Sequence, residues 1–277
     1  MRRIASVPAR INVIGEHTDK FNGLSLPFSC QYRLTLRATS RRSGFSGIPQ
    51  VVSLWKSAGG WPADLEINSN IPIGAGMSSS AALCVAVVLC IRGDIDRMET
   101  SIEAQRIEHE VMQSECGLLD QIAITHSTRR NAVLIDFSNL SIEEHPVPEW
   151  WRFKLVDTGI RRNLAETEYS RAKTTLEDRL NHASEESQRV REALVCNAKR
   201  LGEILNESHS SLSKTIRCST PEIDLLVRKT QTKKGVLGAR LMGGGYGGKI
   251  LALVEDDFAL TGEALEVCES ATIEELD

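Results

Sequence analysis

Apolar positions along this chain follow two periods. Residues 4–13 are extended in character, and 24–38 read as strands. There Leu34 and Leu36 share one face while Arg33, Thr35 and Arg37 take the other, as in a half-buried strand. Residues 41–62 are rich in Ser and Gly and predict a loop with a short strand at 51–55. Leu65, Glu66 and Ile67 alternate into a glycine turn. Residues 81–91 then form an apolar run of helical length, and 78–91 are predicted as a buried helix. Residues 100–113 predict a polar helix, and 117–125 a short one with Leu118, Leu119, Ile122 and Ile124 as its apolar positions. Residues 131–137 and 152–157 read as strands, separated by a linker at His145-Pro146-Val147-Pro148. A long charged stretch, 165–204, predicts two helices, and 207–226 adds further helix. Residues 236–242 are a turn and strand, and 249–255 an apolar strand. No internal repeat is present. Strands and helices mix without regular βα alternation, so the expected class is α+β. The break near residue 146 predicts two lobes, 1–146 and 147–277.

The segment Pro72-Ile73-Gly74-Ala75-Gly76-Met77-Ser78-Ser79-Ser80-Ala81-Ala82 adds chemistry to this outline. It sets glycines and three hydroxyls at the start of the apolar helix. A helix N-terminus offers unpaired N–H groups and a partial positive charge, and glycines let backbone approach an anion closely. The segment can therefore hold phosphate through Gly74, Gly76, Ser78, Ser79 and Ser80. No Lys-Ser or Lys-Thr follows the glycines, so this is not the common G-x-x-x-x-G-K-[ST] loop. A glycine turn with a serine cap satisfies the same residues.

Composition excludes several classes. At 277 residues, 41% hydrophobic and 25% charged, the chain can bury a sizeable core. A net charge of −4 gives no sign of a nucleic-acid face, and Arg41-Arg42 and Lys233-Lys234 are short basic pairs. No apolar run reaches the roughly 18 residues that span a membrane, and residues 1–13 lack the pattern of a signal peptide. The seven cysteines are odd in number, scattered and never spaced C-x-x-C. That pattern argues against disulfides or zinc and fits a reducing cytoplasm.

Two further blocks frame the glycine-serine segment: Pro8-Ala9-Arg10-Ile11-Asn12-Val13-Ile14-Gly15-Glu16-His17-Thr18-Asp19 and Leu241-Met242-Gly243-Gly244-Gly245-Tyr246-Gly247-Gly248-Lys249. In this order the three resemble the motifs of the GHMP small-molecule kinases, and Gly15-Glu16-His17-Thr18-Asp19 resembles the galactokinases among them. The likeness continues through Ile107-Glu108-His109, Cys116-Gly117-Leu118-Leu119-Asp120-Gln121, the stretch 159–169, and 207–224.

The resemblance implies a two-lobed fold with mixed sheets and helices, and an active site in the cleft between lobes. It implies transfer of a phosphoryl group from ATP to the anomeric hydroxyl of galactose, giving α-D-galactose 1-phosphate. It makes Asp120 the proton acceptor and Arg10 its basic partner, because a nearby cation holds a carboxylate ionised. Ser80 and Glu108 become the Mg²⁺ ligands, with Ser79 as the alternative to Ser80. Glu16, His17, Asp19, Gly117 and Tyr169 become the sugar contacts, a set of acceptors suited to a polyol. The expected partners are ATP and a small sugar, with neither nucleic acid nor membrane, in a cytoplasmic monomer.

The chain also departs from that family. Lys20 stands where galactokinases usually carry Tyr, Ala9 where Gly is more frequent, and Tyr246 where Phe is usual. The chain begins almost at the first block, and 40–61 is compressed. These departures keep open another acceptor sugar such as N-acetylgalactosamine, or a sugar sensor without catalysis. A mevalonate-type acceptor fits Thr18-Asp19 less well.

Overall fold

A computed structural model of the chain describes residues 1–72, 74–160, 174–262 and 264–276. Strand β1 (Arg2–Asn12) lies inside an antiparallel sheet, between β3 (Pro27–Ser40) and β11 (Thr272–Leu276). β4 (Ala63–Ser69) and β10 (Val267–Cys268) both pair with β3. From Val7 onward every residue of β1 is buried, so this end of the strand is covered on both faces. Arg10 stands in that stretch.

One cover is α2 (Ser79–Arg92), in which each residue from Ala81 to Cys90 is buried. A helix that is apolar all round belongs in the interior. It packs on β1 and β3 and is flanked by α1 (Pro49–Ser57), α3 (Arg97–Met112) and α4 (Leu119–His126). The Asp96 side chain accepts from Met98 N and Glu99 N and so starts α3 at its observed place.

The expected strand at 51–55 is instead the helix α1. Val51, Leu54 and Trp55 are its buried positions, spaced i, i+3, i+4, and Pro49 occupies its first turn. Trp55 Nε1 donates to Trp61 O at 2.7 Å, which seats the helix on the following loop. A five-residue apolar run is too short for periodicity to separate strand from helix.

A second sheet joins β2 (Leu24–Ser25), β5 (Asn131–Asp136) and β6 (Ser141–Pro146). The register pairs Asn131 with Pro146, so half of the expected linker is edge strand. Proline is compatible with that position because an edge strand's outward N–H needs no partner.

The later part of the chain contributes β7 (Phe153–Asp157), β8 (Val236–Leu241) and β9 (Lys249–Val254), in the order β7-β9-β8. Over them lie α6 (Ala198–Ser211) and α7 (Pro221–Gln231), while α5 (Leu176–Ala193) packs against α6 and β2. Thr175, Asn197 and Thr220 cap their N-termini, and a π-helical turn, Leu212–Ile216, ends α6. The expected two-helix split therefore falls between residues 193 and 198. The return of β10 and β11 to the first sheet has no counterpart in the sequence reading. The main core is correspondingly continuous, joining Val7 and Ile11 to Leu201, Leu205, Met242 and Leu251. Among the described residues no helix is long and apolar enough to cross a membrane.

α6 reaches β8 through two glycines. A Cβ on Gly238 would lie 2.0 Å from Gly202 O, and one on Gly202 would lie 2.3 Å from Leu237 O. Both neighbours are backbone and cannot rotate away. Gly238→Ala is therefore expected to cost about 1–3 kcal/mol, the usual range for overpacking. Urea unfolding measures this; a loss below ~0.5 kcal/mol would contradict the packing.

Candidate active site

β1 and α4 bring their charged side chains together. Arg10 Nε donates to Asp120 Oδ1 at 2.7 Å, and Nη2 lies 2.6 Å from the same oxygen. Its third nitrogen, Nη1, donates to Gly76 O at 2.6 Å. One guanidinium thus ties the first turn of α4 to the glycine loop before α2. Burial alone would lower the Arg10 pKa; Asp120, followed by Glu16 and Asp19, more than reverses that and raises it. Asp120 keeps 26% side-chain exposure, so the pair stands at an opening.

The glycine loop is shaped by backbone conformation. Gly74 and Gly76 have φ of +69° and +72°, and Ser78 holds φ +61° directly before α2. The Ser78 Oγ is buried with no partner. The C-terminal glycine block presses against this loop, because a Cβ on Gly243 would lie 2.9 Å from Gly76 O and one on Gly248 would lie 2.8 Å from Gly74 O. Backbone meets backbone here, which only glycine allows. The polypeptide on both sides leaves N–H groups at the start of α2 for an anion.

Beside the loop, Ser80 hydrogen-bonds Glu108, and Gln121 Nε2 donates to Glu108 Oε2 at 2.8 Å. Burial raises the Glu108 pKa, while those two hydrogen bonds oppose the rise. A hydroxyl and a carboxylate side by side are hard oxygen donors of the kind Mg²⁺ takes. Among the described residues no group of three His, Cys, Asp or Glu could hold a metal. An ion here would therefore complete its shell with phosphate and water.

Of the remaining sequence-derived residues, Glu16 and Asp19 stand near enough to Arg10 to raise its pKa. Glu16 is buried, and its Oε1 accepts from Gly243 N at 2.7 Å and Arg240 Nη2 at 3.3 Å. Burial opposes its charge, but Arg240, Arg10 and the Gly243 N–H bring its pKa down to about 2. His17 adopts φ +58°; burial lowers its pKa to about 4, and its Nε2 is buried without a partner. Asp19 accepts from Leu119 N, at the uncapped start of α4. Burial, then the nearby Asp120, raises its pKa to about 6. Gly117 fits against it so closely that a Cβ would lie 2.0 Å from Asp19 Oδ2. A cavity of about 590 Å³ adjoins Asp19, Lys20 and Gly117. Lys20 donates to Glu115 O across it. Tyr169 lies outside the described residues.

Three contributors escaped the sequence reading: Gln121, Arg240 and His182, whose Nε2 pairs with Glu16 O at 2.9 Å. Arg240 had a signal, since a charged residue inside the strand run 236–241 must find partners if buried.

Asp19 generates a pH prediction. Its pKa is about 6 when folded against 3.8 unpaired, so the folded state binds the extra proton between those values. Ionised Asp19 thus opposes folding above pH 6, and that opposition fades as pH falls to 4. Asp19→Asn is expected to gain on the order of 2 kcal/mol at pH 7–8 and nothing below pH 4. Denaturant midpoints across this range test the sign; a gain that grows toward acid pH would refute it.

Comparison with known proteins bears on the family and the fold. The family profile "GHMP kinases N terminal domain" matches residues 48–128, and "GHMP kinases C terminal" matches 190–270. "Galactokinase galactose-binding signature" matches residues 2–39. A galactokinase of Thermotoga maritima is 29% identical, covering 89% of this chain and 87% of its own. One of Pyrococcus furiosus is 28% identical over 93% and 91%. The Lactococcus lactis galactokinase complexed with galactose superposes with a TM-score of 0.82 at 24% identity, covering 98% and 95%. The Methanococcus jannaschii mevalonate kinase shares the fold at a TM-score of 0.73 and 18% identity, covering 96% and 98%. The chain belongs to the GHMP kinase family and carries the galactokinase signature within it.

Proposed function

We propose that this chain is an ATP-dependent galactokinase that forms α-D-galactose 1-phosphate. The observation that carries the proposal is the Arg10–Asp120 pair at the glycine loop, in a chain matched by the galactose-binding signature. Asp120 accepts the proton of the anomeric hydroxyl as that oxygen attacks the γ-phosphorus. The bond from the γ-phosphorus to the β–γ bridging oxygen breaks, and ADP leaves with that oxygen. Arg10 holds Asp120 in place and offsets charge on the moving phosphoryl group. The N–H groups of 74–80 and the Ser78 and Ser79 hydroxyls hold the phosphates. Mg²⁺ at Ser80 and Glu108 would supply further neutralisation of phosphate charge.

Glu16, His17, Asp19, Gly117 and Tyr169 are assigned to the sugar. Neutral His17 can donate or accept a hydrogen bond, and ionised Glu16 and Asp19 accept from hydroxyls. The orphaned His17 Nε2 supports this, because a buried polar atom without a partner in the free protein gains one from a ligand. We further propose two functional lobes, 1–146 and 147–277, with the site between them, and a monomer in the cytoplasm without membrane or nucleic-acid partners. All seven cysteines are free, which supports a reducing compartment.

The test measures ATP consumption with Mg²⁺ on galactose, N-acetylgalactosamine, glucose and mevalonate, alongside Asp120→Asn. Galactose is expected to be phosphorylated. The variant is expected to lose about 10²–10⁴-fold in kcat while calorimetric galactose affinity stays within severalfold. Turnover of another acceptor only would move the substrate to that sugar, and full activity in Asp120→Asn would remove it as proton acceptor.

A further inference from the structure

Arg240 is fully buried on β8, yet it reaches across to the last residue of β1 and the segment that follows it. Nε donates to Val13 O at 2.9 Å and Nη1 to Leu241 O at 2.9 Å. Nη2 donates to Asn12 O and lies 3.3 Å from Glu16 Oε1. Three carbonyls and one carboxylate therefore share a single planar fork. The same Glu16 oxygen accepts from Gly243 N at 2.7 Å, three residues beyond Arg240. Gly243 in turn touches the glycine loop at Gly76. A continuous set of contacts thus runs from the loop assigned to phosphate to the carboxylate assigned to sugar.

We propose that Arg240 is a positioning residue for the acceptor sugar. It pins Glu16 Oε1 inside the protein, so that the other oxygen, Oε2, is presented to a sugar hydroxyl in one orientation. The inference rests on the assignment of Glu16 to galactose. Arginine is required because its fixed fork meets four acceptors, whereas lysine brings three donors from one point. Retaining positive charge alone would keep Glu16 ionised and leave its orientation loose.

The experiment compares wild type, Arg240→Lys, Glu16→Gln and the double variant Arg240→Met/Glu16→Gln, reading galactose affinity by calorimetry and KM and kcat for each substrate. Arg240→Lys is expected to weaken galactose binding about tenfold, with ATP KM within twofold and kcat at saturating galactose within threefold. The double variant removes both charges together, which avoids a stranded buried carboxylate. It is expected to bind galactose no more weakly than Glu16→Gln alone, since residues acting through one another are not additive. Should Arg240→Lys fail to fold, this comparison still decides. Equal losses for galactose and ATP in Arg240→Lys, tracking its melting temperature, would reduce Arg240 to a structural role. Additive weakening in the double variant would also overturn the proposal, as would unchanged galactose affinity in Arg240→Lys beside a weakened Glu16→Gln. Wild-type galactose affinity in Glu16→Gln would remove the assignment of Glu16 itself, and this inference with it.

Discussion

The site depends on a contact between two stretches of bare backbone. Gly76 and Gly243, 167 positions apart, approach until neither has space for a side chain. That approach fixes how the loop before α2 meets the strand-to-loop turn after β8. Arg10 anchors the first partner through Gly76 O, and Glu16 anchors the second through Gly243 N. Backbone is a rigid partner, whereas a side chain between the loops would admit several rotamers. The two positive-φ glycines are thus what lets charged groups from distant segments stand at fixed separations.

Those charged groups oppose folding as much as they aid it. Arg10, Glu16, Glu108 and Arg240 are all nearly or fully buried. Arg10 and Asp120, and Arg240 and Glu16, are tolerable as pairs, so removing one partner strands the other, while Glu108 is held by hydrogen bonds from Ser80 and Gln121. Asp19 shows the residual conflict: it lies close to Asp120 and is pushed toward protonation near pH 6. Without the Asp19 carboxylate the site would be more stable above pH 6. The crowding makes sense for a pocket whose ligands bring hydroxyl donors and a phosphoryl transfer that develops charge. In this reading the fold holds the site in a shape that a bound sugar completes.

Much of this was legible in the residue order. The apolar run 81–91, the alternating strands and the three blocks each carry local information, and the structure sets Arg10 against Asp120 and Ser80 against Glu108. The failures were equally local. Residues 51–55 became a helix because Trp61 and the helices beside α1 supplied a packing surface that five residues do not encode. The linker at 145–148 lost half its length to β6, whose partner β5 was in view but whose register was not.

By itself the sequence determined which groups are available: the family's three blocks, the glycines that permit close approach, and the acidic and basic residues of the chemistry. These are properties of single residues and short spacings, so they survive without coordinates. Tertiary structure alone decided which long-range pairs form. It sent β11 back beside β1, set Gly117 against Asp19, and turned Arg240 from an ordinary strand residue into the partner of Glu16. The physical reason is that a buried charge is placed by the whole molecule. Its location is wherever the packed backbone leaves enough acceptors to compensate the lost water, and that sum runs over residues far apart in the chain.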